Sequence, residues 1–365
     1  MIGPRSRTAR VALLGVILGS SVSSLRAVTV QDPLAAEIAR WAAFLRDDPT
    51  AGIEMLASLK QDTEPGLART EKALHDGRSL LALYRLASVQ ANLAPAAYLL
   101  ERSAAQRQQE AEFEKEWARM GEALKGDLTP PDAMALAGVR PAAVRAVGEA
   151  ALPKVRVLYE ASLEYGRNTM PDAGLYYVGA ALAQKQFAAF CRSLSVPTPQ
   201  GEPSLRSLDG ELDALQTELL AAYRPPASID RHPQFIIANA AIKEARELEA
   251  AGLRYGALYR YLEATLRVAQ ARAPAAPPDA DALARRLREW DLRLSGGGVD
   301  QSLGRLYLEA AQANADATAG ADPAVASAIV ADVLPRYLAA LEPAPSRPSR
   351  PKSEVTVTLV RWPYT

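Results

Sequence analysis

The fold is decided by residues 233 to 272, PQFIIANAAIKEARELEAAGLRYGALYRYLEATLRVAQAR, which carry two apolar stripes at helical spacing. The second stripe follows Ala251-Gly252, a pair typical of a turn between helices. We therefore predict an antiparallel helical hairpin. The first stripe contains Phe235, Ile236, Ala240 and Ile242, and the second contains Tyr255, Leu258, Tyr259, Leu262 and Leu266.

The same apolar periodicity continues through most of residues 28–341, and no useful alternation of β-branched and polar residues interrupts it. Proline and glycine clusters break the periodicity into segments of about one or two helices. These clusters lie at residues 130–131, 197–203, 225–226, 274–278 and 296–298. We predict an all-α domain of antiparallel helical hairpins forming a bundle or short α-solenoid, with a possible sub-boundary near 197–203.

Residues 1–27, MIGPRSRTARVALLGVILGSSVSSLRA, have the layout of an export signal: a basic start, a short apolar stretch and a small-residue exit. An uncleaved membrane anchor is the alternative, but a spanning helix needs roughly 20 apolar residues. This stretch weakens at Gly19 and meets Arg26. We expect an exported, periplasmic or extracellular protein whose mature chain has no transmembrane span.

Composition excludes several classes of function. The chain has 42 basic and 42 acidic residues, and removing residues 1–27 leaves 38 basic against 42 acidic residues. A mildly acidic chain lacks the basic surface that nucleic acids require, so we expect no nucleic-acid partner. The histidines, His75 and His232, are too far apart in sequence to suggest a metal site, and no phosphate or dinucleotide motif is present. We expect no metal or cofactor.

Two further patterns are interpreted as structural. Cys191 is the single cysteine, so it forms no intramolecular disulfide, and its apolar surroundings predict a small buried side chain. Glu110, Glu112, Glu114 and Glu116 alternate along a predicted helix and therefore spread around it instead of converging. We interpret them as a charged, solvated helix side.

Short sequences recur along the chain. Ala82-Leu83-Tyr84-Arg85 returns verbatim at residues 257–260, yet no fixed period links the recurrences. Parts of the chain resemble tetratricopeptide repeats, a class of helical repeats, over the first helix of the unit only. The resemblance implies a concave surface for peptides or protein partners. It is carried by Leu175, Val178, Gly179 and Leu182, and by Leu303, Gly304 and Tyr307.

The end of the chain differs from the rest. Residues 342–353 form a basic, proline-rich linker, and residues 354–365 contain the one convincing strand pattern. A single strand has no sister strand to pair with, so we hypothesise that it adds to a sheet edge of another envelope protein. Its candidate partner-binding residues are Val355, Val357, Leu359 and Trp362.

Arginine and tyrosine side chains on the second helix of the hairpin supply the other candidates for partner binding, because both residue types anchor protein interfaces. They are Arg254, Tyr261 and Arg267, which we expect to lie away from the core-facing side. The sequence thus favours an exported, non-catalytic scaffold that binds a protein or peptide in the cell envelope. The alternative is an all-helical enzyme acting on an extracellular polymer such as a glycan, which would need two carboxylates about 5 to 10 Å apart in a pocket.

Overall fold

The computed structural model describes residues 31–47, 54–128, 132, 134–167, 170–197, 200–226, 228–272, 279–296, 298–316 and 321–341. The predicted signal at residues 1–27, the linker at 342–353 and the strand-like tail at 354–365 lie outside the described residues. The statements made about those three segments stay predictions.

The described residues confirm the all-α class, since they form helices and no β-strand. They also form a 3₁₀ turn, Ile229–Arg231, and a π-helical turn, Ile329–Val333. The α-helices are α1 Gln31–Arg46, α2 Glu54–His75, α3 Ser79–Leu100, α4 Ala104–Arg107, α5 Glu110–Ala123, α6 Ala142–Glu149, α7 Leu152–Arg167, α8 Pro171–Ser193, α9 Asp209–Ala222, α10 His232–Ala250, α11 Arg254–Ala271, α12 Ala280–Ser295, α13 Ser302–Ala315, α14 Pro323–Ala328 and α15 Leu334–Leu341.

The hairpin predicted from residues 233–272 is confirmed as α10 and α11. Gly252 has φ +77°, a left-handed conformation that glycine adopts without strain. The amide of Leu253 donates to the carbonyl of Leu248 at 2.9 Å, which closes the end of α10. Two residues of the predicted first stripe, Ile236 and Ala240, are exposed, because the buried side of α10 is formed by Ala238, Ala241, Ile242, Ala245 and Leu248.

A second hairpin, α2 and α3, has the same turn in an earlier part of the chain. Gly77 has φ +76°, and the amide of Arg78 donates to the carbonyl of Ala73 at 2.8 Å. The recurring Ala-Leu-Tyr-Arg sequence therefore occupies the same place in two equivalent hairpins. Their second helices meet in the core, where the rings of Tyr84 and Tyr259 lie edge to face with centroids 6.1 Å apart.

A large apolar core joins the two hairpins to α6, α8 and α13, and residues on both sides of segment 197–203 contribute to it. Cys191 lies fully buried in this core, as the sequence predicted, and burial raises the pKa of its thiol. A smaller core surrounds Phe113, where α5 packs against α7 and α8.

Glu116 corrects the interpretation of the α5 glutamates as a solvated side. It is buried, and its Oε2 accepts a hydrogen bond of 2.6 Å from the Tyr98 hydroxyl and lies 2.6 Å from Arg102. Burial alone would raise the pKa of Glu116, but hydrogen bonds from Arg119 and Tyr98 and the charge of Arg102 outweigh it and lower the pKa to about 2. The carboxylate thus ties α5 to α3 as an ion.

Candidate functional site

A cavity of about 230 Å³ lies where the second helices of both hairpins meet α6, α7 and α8. Tyr84 from α3 and Tyr259 from α11 line it, and small alanines such as Ala87 and Ala151 leave the open space between them. Burial and, as the second cause, the charge of Glu263 raise the pKa of Tyr84 to about 12. The Tyr84 hydroxyl is therefore a neutral donor and acceptor at physiological pH.

Four charged side chains form a group at this cavity, on α7, α10 and α11; three of them, Lys154, Arg260 and Glu263, line it. Arg260 forms ion pairs with Glu263 and, at 2.9 Å, with Glu244 on the neighbouring helix. Lys154 approaches Glu244 at 3.7 Å. Burial and the nearby charge of Arg260 lower the pKa of Lys154. Two cations and two anions are thus held together in a partly desolvated group.

A second cavity, of about 210 Å³, opens between α7 and α10 and shares Lys154 with the first. Its apolar walls include Pro153, Ala240 and Val157, of which Val157 is 51% exposed. We call the two cavities together the hairpin cleft. Lys154 lines both cavities and Glu244 lines the second, so the cleft has two spaces of similar volume that share one member of the Lys154–Glu244 ion pair.

The structure does not bring the three predicted partner-binding residues of α11 together. Arg254 is exposed and donates to the carbonyl of Leu205, whereas Arg267 is half-buried and donates to Gln270. Arg254 and Arg267 are 13 positions apart, which is about 20 Å along a helix. The expected exposure of Tyr261 is wrong: only 2% of it is exposed.

The burial of Tyr261 has a physical reason, since its side of α11 is covered by α9 and by the helix that ends the described chain. Its hydroxyl lies 3.4 Å from Arg336, which also binds Glu218. The remaining candidates, Val355, Val357, Leu359 and Trp362, lie outside the described residues.

Sequence reasoning missed the charged residues of the hairpin cleft. Arg260 and Glu263 are three positions apart on one helix, a spacing that does indicate an ion pair. No local sequence pattern indicates that Glu244 and Lys154 join this ion pair, because their proximity depends on how α7 and α10 pack beside α11.

Other candidate chemistry is limited. No group of three or more histidine, cysteine, aspartate or glutamate side chains in the described part of the chain could hold a metal ion. His75 is exposed, and His232 is an exposed partner of the Tyr223 hydroxyl at 2.7 Å. Among the described helices, Pro323–Leu341 has the length and composition of a membrane span, a test that core helices of soluble proteins also pass. Its Asp332 and Arg336 pair with Arg272 and Glu218.

Comparisons with protein-family models, with curated proteins and with solved structures find no match for this chain.

Proposed function

We propose that this protein is an exported, non-catalytic helical scaffold that binds a protein or peptide partner of the cell envelope in the hairpin cleft. The observation that carries the proposal is the pair of cavities of similar volume that share Lys154, which pairs with Glu244. Each cavity has room for a side chain, and this ion pair offers a donor and an acceptor to the peptide backbone. The proposal that the protein is exported rests on the signal pattern of residues 1–27.

The chemistry of the cleft suits reversible binding. Tyr84 and Tyr259 line the first cavity beside apolar walls, and tyrosine combines a large contact area with one polar tip. The second cavity offers an exposed apolar wall at Val157. A peptide with one larger side chain and one aliphatic side chain would bury apolar surface at both places.

The alternative, an enzyme acting on an extracellular glycan, is favoured by one observation: Glu244 and Glu263 both lie at the cleft. Both carboxylates are, however, ion-paired with Arg260. A glycosidase needs one carboxyl that gives up a proton to the leaving group. Because one guanidinium occupies both carboxylates, neither is free to approach a leaving group, so binding is the better-supported function.

The test places a photo-crosslinking amino acid at Val157 in the full-length protein, expressed in the producing cell. Leu292, which is 75% exposed on α12, is the control position. We expect a discrete adduct from position 157 and none from position 292, and we expect Lys154→Met to reduce the adduct. Absence of any adduct at position 157, or equal adducts at both positions, would contradict binding in the cleft.

A parallel assay addresses the enzyme alternative. The purified protein and its Glu263→Gln variant are incubated with envelope polysaccharides, and new reducing ends are measured. Release by the unmodified protein that is lost in Glu263→Gln would establish hydrolysis and refute the non-catalytic proposal. No release from either protein is expected.

A further inference from the structure

The two equivalent hairpins differ in one respect that points to a second site. Arg85 of α3 is the counterpart of Arg260 of α11, because both end the recurring Ala-Leu-Tyr-Arg sequence. Arg260 is neutralised by Glu244 and Glu263. When the two hairpins are aligned on that sequence without a gap, Arg69 stands opposite Glu244 and Ser88 opposite Glu263. The first hairpin therefore has an arginine and a serine where the second hairpin has its two carboxylates.

Arg85 accordingly lies beside a second arginine, Arg69. Its Nη1 donates to the backbone carbonyl of Arg69 at 2.7 Å. Burial is the main cause that lowers the pKa of Arg85, and the charge of Arg69 lowers it further. Neither arginine forms an ion pair with any carboxylate of the described residues.

Both arginines line a small cavity of about 50 Å³ at the turn between α2 and α3, which we call the turn pocket. Lys72 and Arg78 also line it, and each has its own acid: Lys72 pairs with Asp76 at 2.9 Å, and Arg78 pairs with Asp316 at 2.8 Å. The pocket thus has four cationic side chains and two anionic ones. The excess positive charge belongs to Arg69 and Arg85.

We propose that the turn pocket binds a tetrahedral oxyanion, a phosphate or sulfate group, through Arg69 and Arg85. Guanidinium groups present paired N–H donors that match the oxygens of such an anion, and each hydrogen bond is strengthened by charge. The turn pocket, at about 50 Å³, is much smaller than either cavity of the hairpin cleft, and a small anion suits a space of this size.

The anion supplies the negative charge that glutamates supply in the other hairpin. Two guanidinium groups held close together repel one another, and a bound dianion removes that repulsion. The site is separate from the hairpin cleft, so the anion proposal and the proposed function can fail independently.

The test measures binding of radiolabelled inorganic phosphate to the full-length protein by equilibrium dialysis at constant ionic strength. We expect one phosphate per chain. Arg85→Met should weaken binding at least tenfold, whereas Arg167→Met, which alters an arginine already paired with Glu114 at 3.3 Å, should leave binding unchanged. Circular dichroism of each variant checks that the helices are retained.

A second pair of variants uses the internal comparison directly. Ser88 lines the first cavity of the hairpin cleft and stands three positions after Arg85, as Glu263 stands three positions after Arg260. Ser88→Glu therefore offers Arg85 a carboxylate, and Ser88→Gln is the control for a larger side chain at the cleft. We expect Ser88→Glu to abolish phosphate binding and Ser88→Gln to preserve it. If the unmodified protein binds no phosphate, or if all four variants bind it equally, the proposal is refuted.

Sedimentation with vesicles that contain phosphatidylglycerol distinguishes the source of the anion. Binding to vesicles that is lost in Arg85→Met identifies a lipid phosphate as the ligand group. Binding of inorganic phosphate without binding to vesicles identifies a free anion. Either result supports the oxyanion site.

Discussion

Glu309 should make the stability of this protein fall as the pH rises. The side chain projects from α13 toward the start of α3, where its Oε2 accepts a hydrogen bond of 2.8 Å from the amide of Leu81. Burial raises the pKa of Glu309 from 4.5 to about 7, although the hydrogen bond and the charge of Arg78 oppose the shift. The group therefore titrates within the physiological range.

The sign of the effect follows from proton binding. Between pH 4.5 and about pH 7 the folded protein keeps a proton on Glu309 that the unfolded chain has already lost. When the folded state binds more protons than the unfolded state, the free energy of unfolding falls as the pH increases. The contribution of Glu309 to the free energy of unfolding is complete below pH 4.5 and is lost above about pH 7. Each pKa unit corresponds to about 1.4 kcal/mol, so the expected loss is about 3 kcal/mol.

The assay is urea unfolding, followed by circular dichroism, at several pH values from 4.5 to 8. The free energy of unfolding of the unmodified protein is compared with that of Glu309→Gln, which has no titrating group. The difference should decrease by about 3 kcal/mol across the window. The exposed Glu110→Gln variant is the control and should run parallel to the unmodified protein. A constant difference for Glu309→Gln would show that the folded protein binds no more protons at this carboxyl than the unfolded chain does, and would refute the reasoning.

Four other outcomes are expected. Intact-mass measurement of protein recovered from the producing cell should show the loss of about the first 23 to 27 residues, as an export signal implies, whereas the full chain in the membrane fraction would favour the anchor. Leu258→Ala should cost about 2 to 5 kcal/mol of unfolding free energy, because this leucine is 1% exposed. Gly256→Ala should cost about 1 to 3 kcal/mol, because the added Cβ would approach the backbone nitrogen of Ala150 at 3.1 Å. Deleting residues 354–365 should remove a co-purifying envelope protein without a large fall in melting temperature, and unchanged partners would refute the tether hypothesis.

Local patterns were sufficient for the helices and their ends. The apolar stripes of α10 and α11, the turn at Gly252 and the burial of Cys191 all follow from short stretches of sequence. Such features depend on residues within a few turns of one another, so periodicity and turn chemistry determine them.

Burial away from the main apolar stripe could not be predicted in this way. A helix that packs on one side buries one stripe, but α11 contacts α6, α9 and α10 and is surrounded. Tyr261 is buried on a side that periodicity assigns to solvent. Glu116 is buried for a similar reason, because Arg102 and Tyr98 of the neighbouring segment satisfy its carboxylate. In both cases the decisive neighbours are distant in sequence.

The internal resemblance was visible in sequence but had no fixed period. Besides the hairpins, a second segment recurs: Arg145-Ala-Val-Gly-Glu149-Ala-Ala returns as Arg305-Leu-Tyr-Leu-Glu309-Ala-Ala. The step from Glu149 to Glu309 is shorter than the step from Tyr84 to Tyr259, so a search for one constant unit misses the relation. Comparing each recurring segment separately would have paired Glu149 with Glu309.

This pairing explains how the two parts of the chain are held together. Glu149 comes from the first part, and its Oε2 accepts from the amide of Gly256 at 2.8 Å, at the start of the helix in the second hairpin. Glu309 comes from the second part and accepts from Leu81, at the equivalent place in the first hairpin, also at 2.8 Å. Each glutamate satisfies backbone donors that the first turn of a helix leaves unpaired. A division of the chain near 197–203 would separate both hairpins from the carboxylates that complete them, so the crossed contacts favour folding of the described helices as one unit.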